Sequence, residues 1–275
     1  MAGSNGNGAA PGAGERSPMV LIHGFTGTPV MWDPVIPYLE PYHDITAIPL
    51  PGHYGGSAFS DPGEHIVEAL LDIAERELDA RGISRAHIVG NSLGGWAALL
   101  LAGRGRALST VAFSPAGGWE LNSPEVRRAK LIFRRMQYSL ALTYPLALEL
   151  AARPRSRGIV FWDAVAYPKR LSGSLARQWL VAAKNTPARD LMLKHSPEVN
   201  CPESMSIDTP VRIAWGTRDR ILPYSRYSAR WRRALPDADW VMLPGLGHVP
   251  MSDDPQLVAD TILEVSTATA PAPAV

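Results

Sequence analysis

The pentapeptide Gly90-Asn91-Ser92-Leu93-Gly94 places a serine between glycines at i−2 and i+2. An apolar run, Ala86 to Val89, precedes it and reads as a strand; Gly95 and the run Trp96 to Ala102 follow it and read as a helix. A serine at so sharp a strand-to-helix turn takes a strained backbone, and neighbours without a Cβ let the strand and helix approach closely. Its hydroxyl then stands exposed above the carboxyl end of the sheet, and the new helix aims free N–H groups at any developing anion. Such a group is a candidate nucleophile. A hydroxyl is weak near neutral pH, however, and needs a base within hydrogen-bond reach.

Of the seven histidines, His248 is the candidate base. It lies in Leu243-Pro-Gly-Leu-Gly-His-Val-Pro, a glycine-rich loop leaving the last strand-like run, and loops at carboxyl ends of strands are where such sheets assemble sites. His43, His65, His87 and His195 read as surface or satisfied core residues. His53, in Pro-Gly-His-Tyr-Gly-Gly-Ser, could border a pocket. An imidazole needs a carboxylate to fix its tautomer and stabilise its cation. Asp219, in Trp-Gly-Thr-Arg-Asp-Arg, follows a strand and gives the order Ser, Asp, His along the chain. Its rivals are Asp237 and Asp239, at the wrong end of the last strand, and Glu120, after the strand that follows the serine. Two N–H donors must meet the oxyanion. Leu93 is positioned to supply one, and Phe25, in His23-Gly24-Phe25-Thr26-Gly27, the other; His23 reads as a brace for that loop.

These groups converge only if the chain builds a sheet with all its strands pointing one way. Short apolar runs at Met19–Ile22, Ile45–Leu50, Ala86–Val89, Thr110–Phe113, Val211–Trp215 and Asp239–Leu243 alternate with amphipathic stretches such as Glu64–Arg81. The expected fold is α/β, a mostly parallel sheet of about six strands with helices on both faces. From 119 to 206 the alternation stops and helical patterns dominate, as in Pro124–Leu142 and Ser174–Lys184. We read 18–118 and 207–266 as the core, 119–206 as a helical cap, and 1–17 and 267–275 as flexible tails low in large apolar residues. The net charge of +1 gives no global basic field to favour nucleic acid or anionic lipid. Cys201 is the single cysteine, so an intramolecular disulfide and a multi-cysteine zinc site are excluded, and it reads as an inert thiol. Residues 1–17 lack the basic and apolar regions of a secretory signal. The longest apolar run is too short to span a bilayer. The expectation is a cytoplasmic protein acting on a small molecule, with its oligomeric state open.

The motifs HGFTG, LPGHYGGS, GNSLGG, WGTRD and GLGH, in that order from about Pro18 to Val265, resemble the α/β-hydrolase superfamily. The resemblance implies a Ser-His-Asp mechanism through an acyl-enzyme, a helical cap forming the pocket, and no cofactor. Members usually begin with an antiparallel hairpin before the HG strand, and that hairpin is missing from the pattern here. GNSLGG and WGTRD look like carbon–carbon bond hydrolases of aromatic-ring degradation, but Val249 stands where those often carry Trp. LPGHYGGS looks like a pyruvate-eliminating menaquinone-pathway synthase, but Trp96 stands where that often carries Arg. Haloalkane dehalogenases and epoxide hydrolases use Asp at the position of Ser92.

Within the cap, Trp119, Phe133, Met136 and Trp162 are candidates to bind an apolar acyl or aromatic group, and each could instead pack the cap's own interior. The cations Arg127, Arg128, Lys130, Arg134 and Arg135 read as a solvated helix face or as a seat for an acidic substrate or partner. The leading expectation is a serine esterase. A carbon–carbon hydrolase or lyase with the same triad, and a non-enzymatic ligand receptor on the same fold, are the alternatives.

Overall fold

The computed structural model describes residues 16–61 and 63–268. Strands β1 (Ser17–Ile22), β2 (His43–Ile48), β3 (Ala86–Asn91), β4 (Ala107–Phe113), β5 (Val211–Gly216) and β6 (Asp239–Leu243) form one sheet in the order β2-β1-β3-β4-β5-β6. Every neighbouring pair is parallel. Helices α1 (Ile36–Leu39), α2 (Ile66–Asp79) and α3 (Leu93–Gly103) link the first four strands. Four more, α4 (Pro124–Ala152), α5 (Arg157–Phe161), α6 (Gly173–Lys184) and α7 (Arg189–Lys194), lie between β4 and β5; α8 (Tyr224–Ala234) and α9 (Pro255–Ser266) complete the chain.

The central strands β3 and β4 are buried nearly throughout because the sheet is covered on both sides, whereas the edge strands β2 and β6 are only partly buried. In β1, Val20 and Ile22 join the side packed by Leu70, Leu71 and Ala74 of α2, by α3, and by Tyr227 and Trp231 of α8. Met19 and Leu21 join the other, with Trp32, Leu39 of α1, and Val258 and Ile262 of α9. The chain runs from β1 outward to β2 and then back past β1 to β3. The chain leaving β1 therefore passes to one side of the sheet, toward α1, and the chain leaving β3 to the other, into α3.

The segment 119–206 is helical, as its pattern implies. The expected end of the long helix at Leu142 marks a kink instead: Thr143 leaves helical geometry (φ −116°, ψ 16°) and α4 resumes to Ala152. The cause is Pro145, which lacks an N–H for the carbonyl four residues back and crowds it. The Thr143 hydroxyl donates to the Ser139 carbonyl at 2.7 Å across the break. Buried Arg157 then donates to the carbonyls of Ala151, Ala152 and Leu171, satisfying the last turn of α4. The expected tails lie mostly outside the described residues. At their inner edges the boundaries shift: Ser17 already pairs with His43 in the sheet, and Thr267 caps α9. Among the described residues no helix is long and apolar enough to cross a membrane.

Candidate active site

Ser92 sits between β3 and α3 at φ 57°, ψ −115°, a conformation costly for any residue with a side chain. Three backbone hydrogen bonds hold it there. Its N–H donates to the Phe113 carbonyl (2.9 Å), and its carbonyl accepts from Trp96 (3.0 Å) and Ala116 (2.9 Å). The flanking glycines are steric necessities. A Cβ on Gly90 would lie 2.1 Å from the Gly94 carbonyl oxygen, and one on Gly94 would lie 2.3 Å from that of Ile22.

Asp219 and His248 enter from the loops after β5 and β6. His248 Nδ1 and Asp219 Oδ2 are 2.8 Å apart, with the carboxylate wholly buried and the imidazole nearly so. The other carboxylate oxygen, Oδ1, accepts the N–H groups of Ile221 (3.0 Å) and Leu222 (2.8 Å), which aims the group at the imidazole. The Trp215 indole closes this loop by donating to the Leu222 carbonyl (2.8 Å). Two of the rival acids are engaged elsewhere: Glu120 pairs with Arg230 and Arg233, and Asp239 with Arg212.

The turn that carries Ser92 and the histidine loop are tied directly. Asn91 Nδ2 donates to the carbonyls of His248 (2.9 Å) and Phe113 (3.2 Å). Among the described residues the Ser92 hydroxyl and His248 Nε2 share no hydrogen bond, but Ser92 and His248 line the same cavity. A Cβ on Gly24 would come within 3.1 Å of Ser92 Cβ, so the loop after β1 runs against the serine. The Phe25 and Leu93 N–H groups make none of the turn or cap hydrogen bonds of the described residues. His23 braces that loop. Its Nε2 accepts from Leu50 N–H (3.0 Å), which leaves Nδ1 to donate to the Gly24 carbonyl (2.8 Å). Burial, with His53 beside it, pushes the His23 imidazole down to about 3, so it is neutral at ordinary pH. His53 does not line the cavity. It packs edge-on against His23 and Phe25 behind the loop, and burial lowers it to about 4. Cys201 is wholly buried, its thiol pushed up to about 12, and unreactive.

The cavity measures about 400 Å³. Phe133, Met136 and Trp162 line it. Trp119 does not: it is buried in the core, edge-to-face with Tyr227 at 6.0 Å. A tryptophan just past a strand end is placed by how the next helix lands, and here it shares a buried cluster with Val126 and Ala129 of α4. Of the five clustered cations only Arg135 lines the cavity; Arg128 instead donates to the carbonyls of Ile221 and Arg220, tying α4 to the aspartate loop.

Two acids escape a reading of the sequence. Asp163, just after α5, lines the cavity. Burial pushes its carboxyl above the usual carboxylate range, against the pull of its own and the Ala164 N–H, His248 and Arg135. Asp253 is wholly buried and accepts N–H groups from Ala166 (2.9 Å) and Tyr167 (2.7 Å) of the cap and from Gly247 (2.8 Å), beside the histidine. With Val249 N–H donating to the Ala164 carbonyl (2.8 Å), it rivets the cap to the histidine loop. In sequence Asp253-Asp254-Pro255 signals only a helix start, and Asp254 indeed caps α9.

A family model described as "Alpha/beta hydrolase family" matches residues 19–261. Epoxide hydrolase EphH of Mycobacterium tuberculosis is 33% identical over 195 residues, which cover 70% of this chain and 91% of that protein. A pimeloyl-[acyl-carrier protein] methyl ester esterase of Neisseria meningitidis is 29% identical over 240 residues, covering 84% and 86%. In fold, a thermophilic esterase from Thermogutta terrifontis superposes with a TM-score of 0.68 at 20% identity, covering 94% of this chain and 92% of that one.

Proposed function

The chain belongs to the α/β-hydrolase family, and from that premise we propose that it is a serine hydrolase cleaving a carboxylic ester of a small or medium, largely apolar substrate. Ser92 attacks the carbonyl while His248 accepts its proton, and Asp219 holds the imidazole in the right tautomer and stabilises its cation. The N–H groups of Phe25 and Leu93 receive the oxyanion. The imidazolium protonates the departing alcohol, and a water activated by the same histidine then releases the acid from Ser92. The Ser92–His248 hydrogen bond closes when substrate binds, as catalytic contacts often do. The observation that carries this reading is the buried 2.8 Å His248–Asp219 pair opening on the same cavity as a serine held at positive φ. Phe133, Met136 and Trp162 form the wall that receives the apolar part of the ester.

The test is Ser92→Ala. Hydrolysis of p-nitrophenyl butyrate should fall by roughly 10⁴-fold or more with the circular dichroism spectrum intact, and a fluorophosphonate probe should label the wild type at Ser92. Full residual activity in the variant would end the proposal.

A second reading, epoxide hydration, is favoured by the likeness to EphH. Ser92 argues against its covalent route. A carboxylate nucleophile yields an ester that water can cleave at the carbonyl, whereas a serine would yield an ether with no carbonyl to attack. Turnover of styrene oxide that survives Ser92→Ala would favour water activated by His248 directly.

A further inference from the structure

We propose that the outer face of the cap docks on an anionic lipid surface, from which an amphiphilic ester passes into the cavity. The docking stands on its own, while the passage of substrate rests on the reading of Ser92 given above.

The first ground is where large apolar side chains meet solvent. Ten such residues are exposed among those described, and seven lie in the cap: Leu121, Leu131, Tyr138, Leu142, Leu146, Ile159 and Trp162. Leu142 is 84% exposed, and Leu131 and Ile159 are each 67% exposed. Clustered exposure on this scale marks an interaction surface. Leu131, Tyr138 and Leu142 fall at i, i+7 and i+11 of α4, on the face opposite Met136 and Leu140, which line the cavity. Leu146, Ile159 and Trp162 do both: they are exposed and they line the cavity, so they form its mouth. Apolar surface thus continues from the outside of α4 into the chamber that holds Ser92.

The second ground is charge. Residues 119–206 carry 14 of the chain's 27 Lys and Arg but only 7 of its 26 Asp and Glu. From Val126 to Leu148 there is no acid, while Arg127, Lys130, Arg134 and Arg135 stand among the apolar residues of α4. The near-neutral whole therefore has a positive cap and a negative remainder. An amphipathic helix with leucines outward, arginines interleaved and aromatic rings flanking the apolar strip suits the boundary between headgroups and acyl chains. A second copy of this chain would bring like charges face to face, which opposes symmetric pairing through the same patch.

The experiment uses the full chain carrying Ser92→Ala, so that binding is read without hydrolysis. It should co-sediment with vesicles of equal parts phosphatidylglycerol and phosphatidylcholine, weakly with phosphatidylcholine alone, and less as salt is raised. Leu142→Ser should weaken vesicle binding roughly tenfold, and Arg134→Gln roughly fivefold. In the active enzyme, Leu142→Ser should leave hydrolysis of dissolved p-nitrophenyl acetate unchanged and slow that of a long-chain ester held in anionic vesicles. Absence of sedimentation at low salt overturns the proposal, as does binding indifferent to both substitutions. So does a dimer in light scattering that Leu142→Ser dissolves, or capture of an acidic carrier protein without vesicle binding. None of these outcomes depends on Ser92 being the nucleophile, and loss of the esterase reading would leave vesicle binding in place.

Discussion

Helices α3 and α4 are both rich in leucine and alanine, yet they lead opposite lives. Every residue of α3 from Leu93 to Ala102 is buried, whereas in the 29 residues of α4 only Val126, Ala129, Ala147 and Ala151 are. The first packs against the sheet with no room for a single added carbon at Gly94. The second divides its apolar residues among the core, the cavity wall and solvent. Composition alone does not separate them; surroundings do. A helix that follows a strained serine is packed from all sides, and one that walls a cavity keeps part of its apolar surface exposed.

The sharpest way to break this contrast is to add one carbon to α3. Gly94→Ala should destabilise the protein by about 3 kcal/mol or more, because the new Cβ meets the backbone carbonyls of Ile22 and His23 rather than a flexible side chain. Denaturant unfolding measures it. A variant as stable as the wild type would mean that the turn at Ser92 is looser than its geometry indicates.

Acid should act on the core side of the contrast next. His23 and His53 are buried neutral, at about 3 and about 4 against an ordinary 6.5. Between those values and 6.5 the unfolded chain binds protons that the folded chain refuses. Stability is therefore fully present above pH ~6.5 and is lost as pH falls, at up to ~1.4 kcal/mol per pH unit for each histidine. Replacing His23 by Gln should flatten the acid limb of a stability profile, and an unchanged slope would remove His23 from this role.

The smallest effect is expected where the two regions meet. Asp253→Asn keeps one oxygen but turns an amide N–H₂ toward a backbone N–H of the cap or of the histidine loop. A cost of about 2 kcal/mol follows from the unmade hydrogen bond, which corresponds to a melting temperature lower by ~4–8 °C. Calorimetry that finds no shift would show that the cap is held chiefly by its apolar contacts.

Legibility in the sequence tracked the range of the interactions involved. The pairing of Asp219 with His248, and the cavity His248 shares with Ser92, were legible because each residue sits in a short loop whose glycines and flanking strand report the backbone directly. The strands could be found because each carries a short apolar run, most fully buried in the central strands, where both faces are covered. Trp119 was misjudged as a pocket residue and Asp253 passed unnoticed because a side chain's neighbours in space, here Tyr227 and the cap segment 166–167, lie far off in the chain.

The order of strands and helices, the strained turn and the residue types able to activate a hydroxyl were already determined by local pattern, since periodicity and backbone strain are properties of a few consecutive residues. Which face of α4 looks into the cavity, which cation joins it, and which of two adjacent aspartates rivets the cap were decided only by tertiary packing. Those outcomes depend on the angle at which distant segments meet, and on a kink at Pro145 whose direction no single segment specifies.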